Sequence, residues 1–132
     1  MGYLVGLLLS LAVSALAIGI GLDRERAFYP TVAIVIASYY VLFAVMGSSN
    51  RVILLEIVVA SVFLLLAVVG YKTNLWLVGI AIVGHGVFDA VHHLLIENPG
   101  MPRWWPAFCG TFDVIFGVLL AARLYRHNLA TR

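Results

Sequence analysis

Five apolar runs, each long enough to cross a bilayer, take up most of the 132 residues and decide what the chain can become. They cover residues 3–22, 30–47, 52–70, 75–96 and 107–124. A helix needs roughly 20 mainly apolar residues to span the hydrocarbon core. Within that core every backbone polar group must find a partner in its own segment, a demand that helices meet. The runs therefore predict an all-α integral membrane protein, an up-down bundle of about five transmembrane helices in a single polytopic domain. Composition agrees: at 64% hydrophobic and 11% charged, the chain has too few polar side chains to coat a soluble domain of this length.

The first run ends near Ala15-Leu16-Ala17, which imitates a signal-peptide cleavage site. Met1-Gly2-Tyr3 supplies no basic residue ahead of it and the run is longer than a signal sequence uses, so it is read as a retained helix. The net charge of +2 is small and scattered, with no basic run beyond Arg123 to Arg126, which argues against a nucleic-acid partner and leaves the lipid bilayer as the expected one. A lone cysteine, Cys109, excludes an intrachain disulfide framework. Five crossings put Arg24, Arg26, Lys72, Arg123, Arg126 and Arg132 on one side and Arg51 and Arg103 on the other. The positive-inside rule then predicts an outside N-terminus and a cytoplasmic C-terminus, in a plasma or inner membrane.

The connections are short, which predicts that sequential helices are antiparallel neighbours. Pro30 is expected to begin the second helix, while Pro99, Pro102 and Pro106 keep the last connection from being helical. Trp104 and Trp105 fall where that connection re-enters the bilayer, as interfacial anchors, as a lid over a site beneath, or as both. Gly2, Gly6, Ser10 and Ser14 recur every fourth residue and form a small-residue ridge for close helix packing, within the chain or in a homo-oligomer.

Against this apolar background the stretch GHGVFDAVHHLL, residues 84–95, stands out. On a helix turning about 100° per residue, His85, Asp89 and His92 fall within about 60° of one another, with His93 at the shoulder of the stripe. Glu56 and Asp113 lie inside other runs, at a depth similar to that of His92. A charge near the bilayer centre costs about 2.5–3.5 kcal/mol on insertion scales, so such residues face the bundle interior and have partners. Convergence of three helices on one polar cluster follows. Tyr39, Tyr40, Ser38 and Cys109 reach the same half of the bilayer and are candidates to support the cluster, Cys109 as a small buried hydrophobe or a thiolate ligand.

Imidazoles and carboxylates in this pattern form a workable ligand set for zinc or a divalent transition metal, with His85, Asp89, His92, His93, Glu56 and Asp113 as the candidate ligands. Asp89-x-x-His92 matches, with Asp for Glu, the acid-x-x-His pair of di-iron bundles. Asp89-Ala90-Val91-His92-His93 resembles the H-x-x-H-H histidine box of membrane desaturases and hydroxylases over that short stretch. Asp89 replaces the first histidine of the box, the further boxes are absent, and no activity is carried over. Besides a metal site, hydrolytic or oxidative and acting on a lipidic or small permeant substrate, three readings stand open: a proton- or cation-handling channel or transporter component, a haem or quinone site, and the polar core of an accessory subunit. Haem is the less favoured cofactor, because bis-His ligation needs histidines on facing helices.

Overall fold

The computed structural model describes residues 1–130 and contains five helices, each long and apolar enough to cross a membrane. They are α1 (Gly2–Ile20), α2 (Phe28–Gly47), α3 (Asn50–Lys72), α4 (Leu75–Leu95) and α5 (Trp105–Ala130). At about 1.5 Å of rise per residue, helices of 19 to 26 residues match or exceed a hydrocarbon core of about 30 Å.

Local chemistry sets the ends. Gly21 closes α1 in the left-handed conformation, at φ 79°, a geometry that an L side chain resists. Ser49 caps α3 by accepting from the Val52 amide, and Asn74 caps α4 by accepting from the Trp76 amide. Pro30 sits in the first turn of α2 as expected. Pro106 also sits in a first turn, that of α5, where a missing N–H costs nothing; helix α5 therefore starts one residue before the proline that was expected to lie in the connection.

The helices pair as α2 with α3, α3 with α4, α4 with α5 and α1 with α5, with a lighter contact between α2 and α4. Three of these follow the expected order. Helix α1 departs from it: its main neighbour is α5, because the link 21–27 lets it swing across to α5. Gly2 presses on the backbone at Trp104, just ahead of α5, and Gly6 on the α5 backbone at Phe108, where a side chain on Gly6 would run into the Phe108 carbonyl. Ser10 is buried on the same face, its hydroxyl donating to the Leu7 carbonyl. The ridge is thus used inside the chain, and a homo-oligomer built through it would have to displace α5.

Two ends of the bundle differ in character. At the end bearing the 21–27 link and the α3–α4 turn, Tyr29, Ala33, Val78, Ile82, Phe116 and Leu120 form an apolar core. Arg123 there reaches Asp23 at 3.0 Å and lies over the Tyr29 ring, while Arg26 donates to the Tyr71 and Gly70 carbonyls that end α3. Arg132, counted on this side by the charge argument, lies outside the described residues. At the other end lie the α2–α3 turn and the α4–α5 connection, and just beneath them the interior becomes polar. Outward faces such as Leu54, Leu65, Leu94 and Val118 remain exposed and apolar, as lipid contact requires.

Candidate functional site

His85, Asp89 and His92 all point inward from α4 and are no more than 3% exposed. The stripe read from the sequence is therefore buried, and each member meets a different helix. Two polar groups result.

The deeper group joins α4 to α5. His85 Nδ1 lies 2.7 Å from Asp113 Oδ2 and 3.6 Å from Asp89 Oδ2, and the Cys109 thiol lies 3.8 Å from Asp113 Oδ2. Tyr40 on α2 donates its hydroxyl to Asp89 Oδ1 at 2.5 Å. Phe63 presents its ring to His85 edge to face, with centroids 4.8 Å apart, and Phe88 stands beside it. One ligand atom each from His85, Asp89, Cys109 and Asp113 falls within 4.8 Å of all the others, and all four residues are buried.

The shallower group joins α4 to α3. His92 Nε2 lies 2.7 Å from Glu56 Oε1, which also accepts from Asn98 Nδ2 at 3.0 Å. Asn98 donates to the Tyr40 carbonyl as well, and its Oδ1 accepts from Ser48. The connection after α4 is thereby tied to α2 and α3. Tyr40 separates the two groups, its ring stacked on His92 and its hydroxyl on Asp89.

Of the expected ligands, His85, Asp89 and Asp113 come together. His92 and Glu56 pair with each other instead. Seven residues of helix put His85 and His92 about 10 Å apart along the axis, too far for one ion to hold both without distortion. His93 is exposed and lines a groove between α4 and α5 rather than joining either polar group, so the box-like Asp89-to-His93 element is not assembled around one point. Cys109 takes the place that His93 was expected to fill.

Tyr39 stacks among Phe43 and Trp105 rather than on the polar cluster, and Ser38 turns outward and bonds the Val35 carbonyl. Trp104 is exposed and Trp105 packs on Tyr39, Phe43 and Phe108; neither lines the groove, which argues for anchoring rather than for a lid over it. Asn98 was not legible as a site residue. Asn-Pro reads as a turn, and nothing in the sequence says that a turn side chain folds back under the bundle.

Three atoms of the cluster have no hydrogen-bond partner among the described residues: Glu56 Oε2, Asp89 Oδ2 and His92 Nδ1. Buried polar atoms are normally paired, and those that are not point to a proton, an ion or a ligand. A groove of about 1090 Å³ between α4 and α5 runs beneath the α4–α5 connection and touches Asp89. Chemically, the deeper group offers one nitrogen, two carboxylates and one sulfur, a donor set suited to zinc or a later first-row metal. Comparison with protein-family models, with characterised proteins and with solved structures finds no match to this chain.

Proposed function

We propose that this multi-pass membrane protein holds a divalent ion, zinc or a transition metal, among His85, Asp89, Cys109 and Asp113, as the centre of a membrane-embedded metalloenzyme acting on a lipidic or small permeant substrate. The observation that carries the reading is the gathering of four buried ligand atoms within 4.8 Å, from residues one turn apart on each of two packed helices. Ligands at about 2.0–2.3 Å from a tetrahedral ion lie about 3.3–3.8 Å from one another. The 3.6 Å His85–Asp89 and 3.8 Å Cys109–Asp113 separations meet that requirement, while the full set, spread over as much as 4.8 Å, has to draw in around the ion. The 2.7 Å His85–Asp113 contact is a hydrogen bond that must open by less than an ångström to admit the ion. When bound, such an ion would supply Lewis-acid activation, while Tyr40 holds Asp89 in orientation from behind.

Elemental analysis of tag-free protein after mild detergent extraction tests the reading. Near-stoichiometric metal that is lost in a folded His85→Ala, Asp113→Asn double variant supports it. Persistently substoichiometric metal, with no gain on adding zinc, iron, manganese or copper, removes it.

A second reading, proton or cation handling, draws on the His92–Glu56 pair, whose other atoms His92 Nδ1 and Glu56 Oε2 both lack partners among the described residues. Ion flux into proteoliposomes, present in the wild type and lost in Glu56→Gln, would favour it. A haem has less support, since His85 and His92 lie on one helix and each is already held by a carboxylate. For orientation we propose the groove end outside and the Arg123 end cytoplasmic, on the balance of basic residues.

A further inference from the structure

His85, Asp89, Cys109 and Asp113 are all buried inside the bundle, so an ion can reach them only by passing between other side chains. Three of the ways in are closed. Towards the Arg123 end lies the apolar core of Tyr29, Val78, Ile82, Phe116 and Leu120. Towards α3 the rings of Phe63 and Phe88 flank His85. On the side of the groove, Gly86 and Gly110 shut the passage by backbone contact: a Cβ on Gly110 would stand 3.2 Å from both the Asp89 Cβ and the Gly86 carbonyl oxygen. A divalent ion that sheds its water needs polar atoms at each step, and the apolar routes offer none.

The fourth way is polar. From the deeper group it passes Tyr40, whose hydroxyl meets Asp89 and whose ring lies on His92, and reaches the His92–Glu56 pair. There His92 Nδ1 and Glu56 Oε2 are buried and without hydrogen-bond partners among the described residues, a nitrogen and an oxygen open to a cation. Beyond the pair stand Asn98, in the α4–α5 connection, and half-buried Ser48, at the end of α2. Among the described residues, every hydrogen bond from the connection to α2, α3 or the turn between them runs through the Asn98 side chain: to the Tyr40 carbonyl, to Glu56 and from Ser48. Pro99 and Pro102 have no N–H to add. One side chain thus fastens the cover over the pair.

We propose that the ion enters beneath the α4–α5 connection, with Asn98 as the latch and Glu56 and His92 as the ligands it visits on its way to the deeper group. The inference rests on the metal reading and adds how that site is filled. Glu56 and His92 then govern the rate of loading and leave the final occupancy unchanged.

Zinc uptake by metal-stripped protein in phosphatidylcholine nanodiscs tests it, alongside labelling of Cys109 in the metal-free protein by a small water-soluble methanethiosulfonate. Cys109 is the sole cysteine and is buried, so its labelling reports opening whether or not zinc binds. Asn98→Ala should speed both processes by about tenfold or more, to the same final zinc content, because the bonds that hold the cover shut are gone. Ser48→Ala, which loses one of those bonds, should fall between Asn98→Ala and the wild type. Arg26→Gln, which loosens the opposite end, should change neither rate. The His92→Leu, Glu56→Leu double variant should load more slowly to the same level. Equal acceleration by Arg26→Gln, or loading of the double variant at the wild-type rate, overturns the inference. Zinc uptake with neither rate altered by Asn98→Ala overturns it alone and leaves the metal reading standing. Faster Cys109 labelling in Asn98→Ala, in a protein that takes up no zinc, overturns the metal reading and keeps the connection as the way in.

Discussion

Tyr40 lies flat on His92, the two rings 4.0 Å apart and 8° from parallel. The same residue donates its hydroxyl to Asp89, so one side chain from α2 fixes the imidazole of one polar group and the carboxylate of the other. Tyr40→Phe keeps the stack and strips the donor. It should lower stability by about 1–2 kcal/mol and weaken metal retention, while Tyr40→Leu, losing both contacts, should do more. Thermal unfolding in detergent and metal titration of the two variants check this; equal behaviour of Phe and wild type in both measurements would remove Tyr40 from the site.

His92 and Glu56 should behave as a pair. Removing one member of a buried pair leaves its partner uncompensated, at a cost of about 3–5 kcal/mol, whereas replacing both is much milder. His92→Leu is therefore expected to be more damaging than the His92→Leu, Glu56→Leu double variant, in which bound metal should survive because neither residue is among the four gathered ligands. Loss of metal in the double variant would return His92 or Glu56 to the ligand set.

Metal uptake should release protons. The 2.7 Å contact between His85 and Asp113 holds a hydrogen-bonding proton where the ion must bind, so proton and metal compete. Apparent zinc affinity should fall as pH is lowered, by about tenfold per pH unit for each proton displaced. Titration in weakly buffered detergent, read by a pH indicator, follows the release; zinc binding that is independent of pH would place the ion elsewhere.

Gly6→Leu should loosen α1 from α5, because a side chain there meets the Phe108 carbonyl, an atom of helix backbone with little freedom to retreat. Gly19→Leu, where a side chain meets open space, is the matched control. Faster proteolysis or a lower unfolding temperature is expected for the first variant alone. Equal stability of the two would mean that the α1–α5 contact contributes little.

Orientation is open to thiol labelling on intact cells. Cys109 is buried and gives little background. A cysteine at Pro99 should react with a membrane-impermeant reagent and one at Asn128 should not; the reverse pattern inverts the topology.

Hydropathy alone carried the five helices, since each is apolar enough to be recognised without its neighbours. The inward stripe of α4 was equally legible, because helical angle depends on spacing alone. What spacing alone did not settle was that His85 and His92 face different helices, which, with the two turns between them, made one expected cluster into two. Cys109 entered the site because it lies one turn before Asp113 on α5, and only the packing of α5 on α4 shows that this face meets His85. The pairing of α1 with α5 was hidden for a similar reason: a ridge of small residues announces close approach without saying to what.

That pairing bears on how the protein is made. Helix α4 emerges during synthesis carrying His85 and Asp89, while Asp113 and Cys109 are still to come, and α1 waits with its glycine face bare. Both vacancies are filled by α5, which follows α4 in the chain. These contacts therefore wait on α5, and a chain interrupted before it would leave polar groups facing lipid, a form that membrane quality control can recognise.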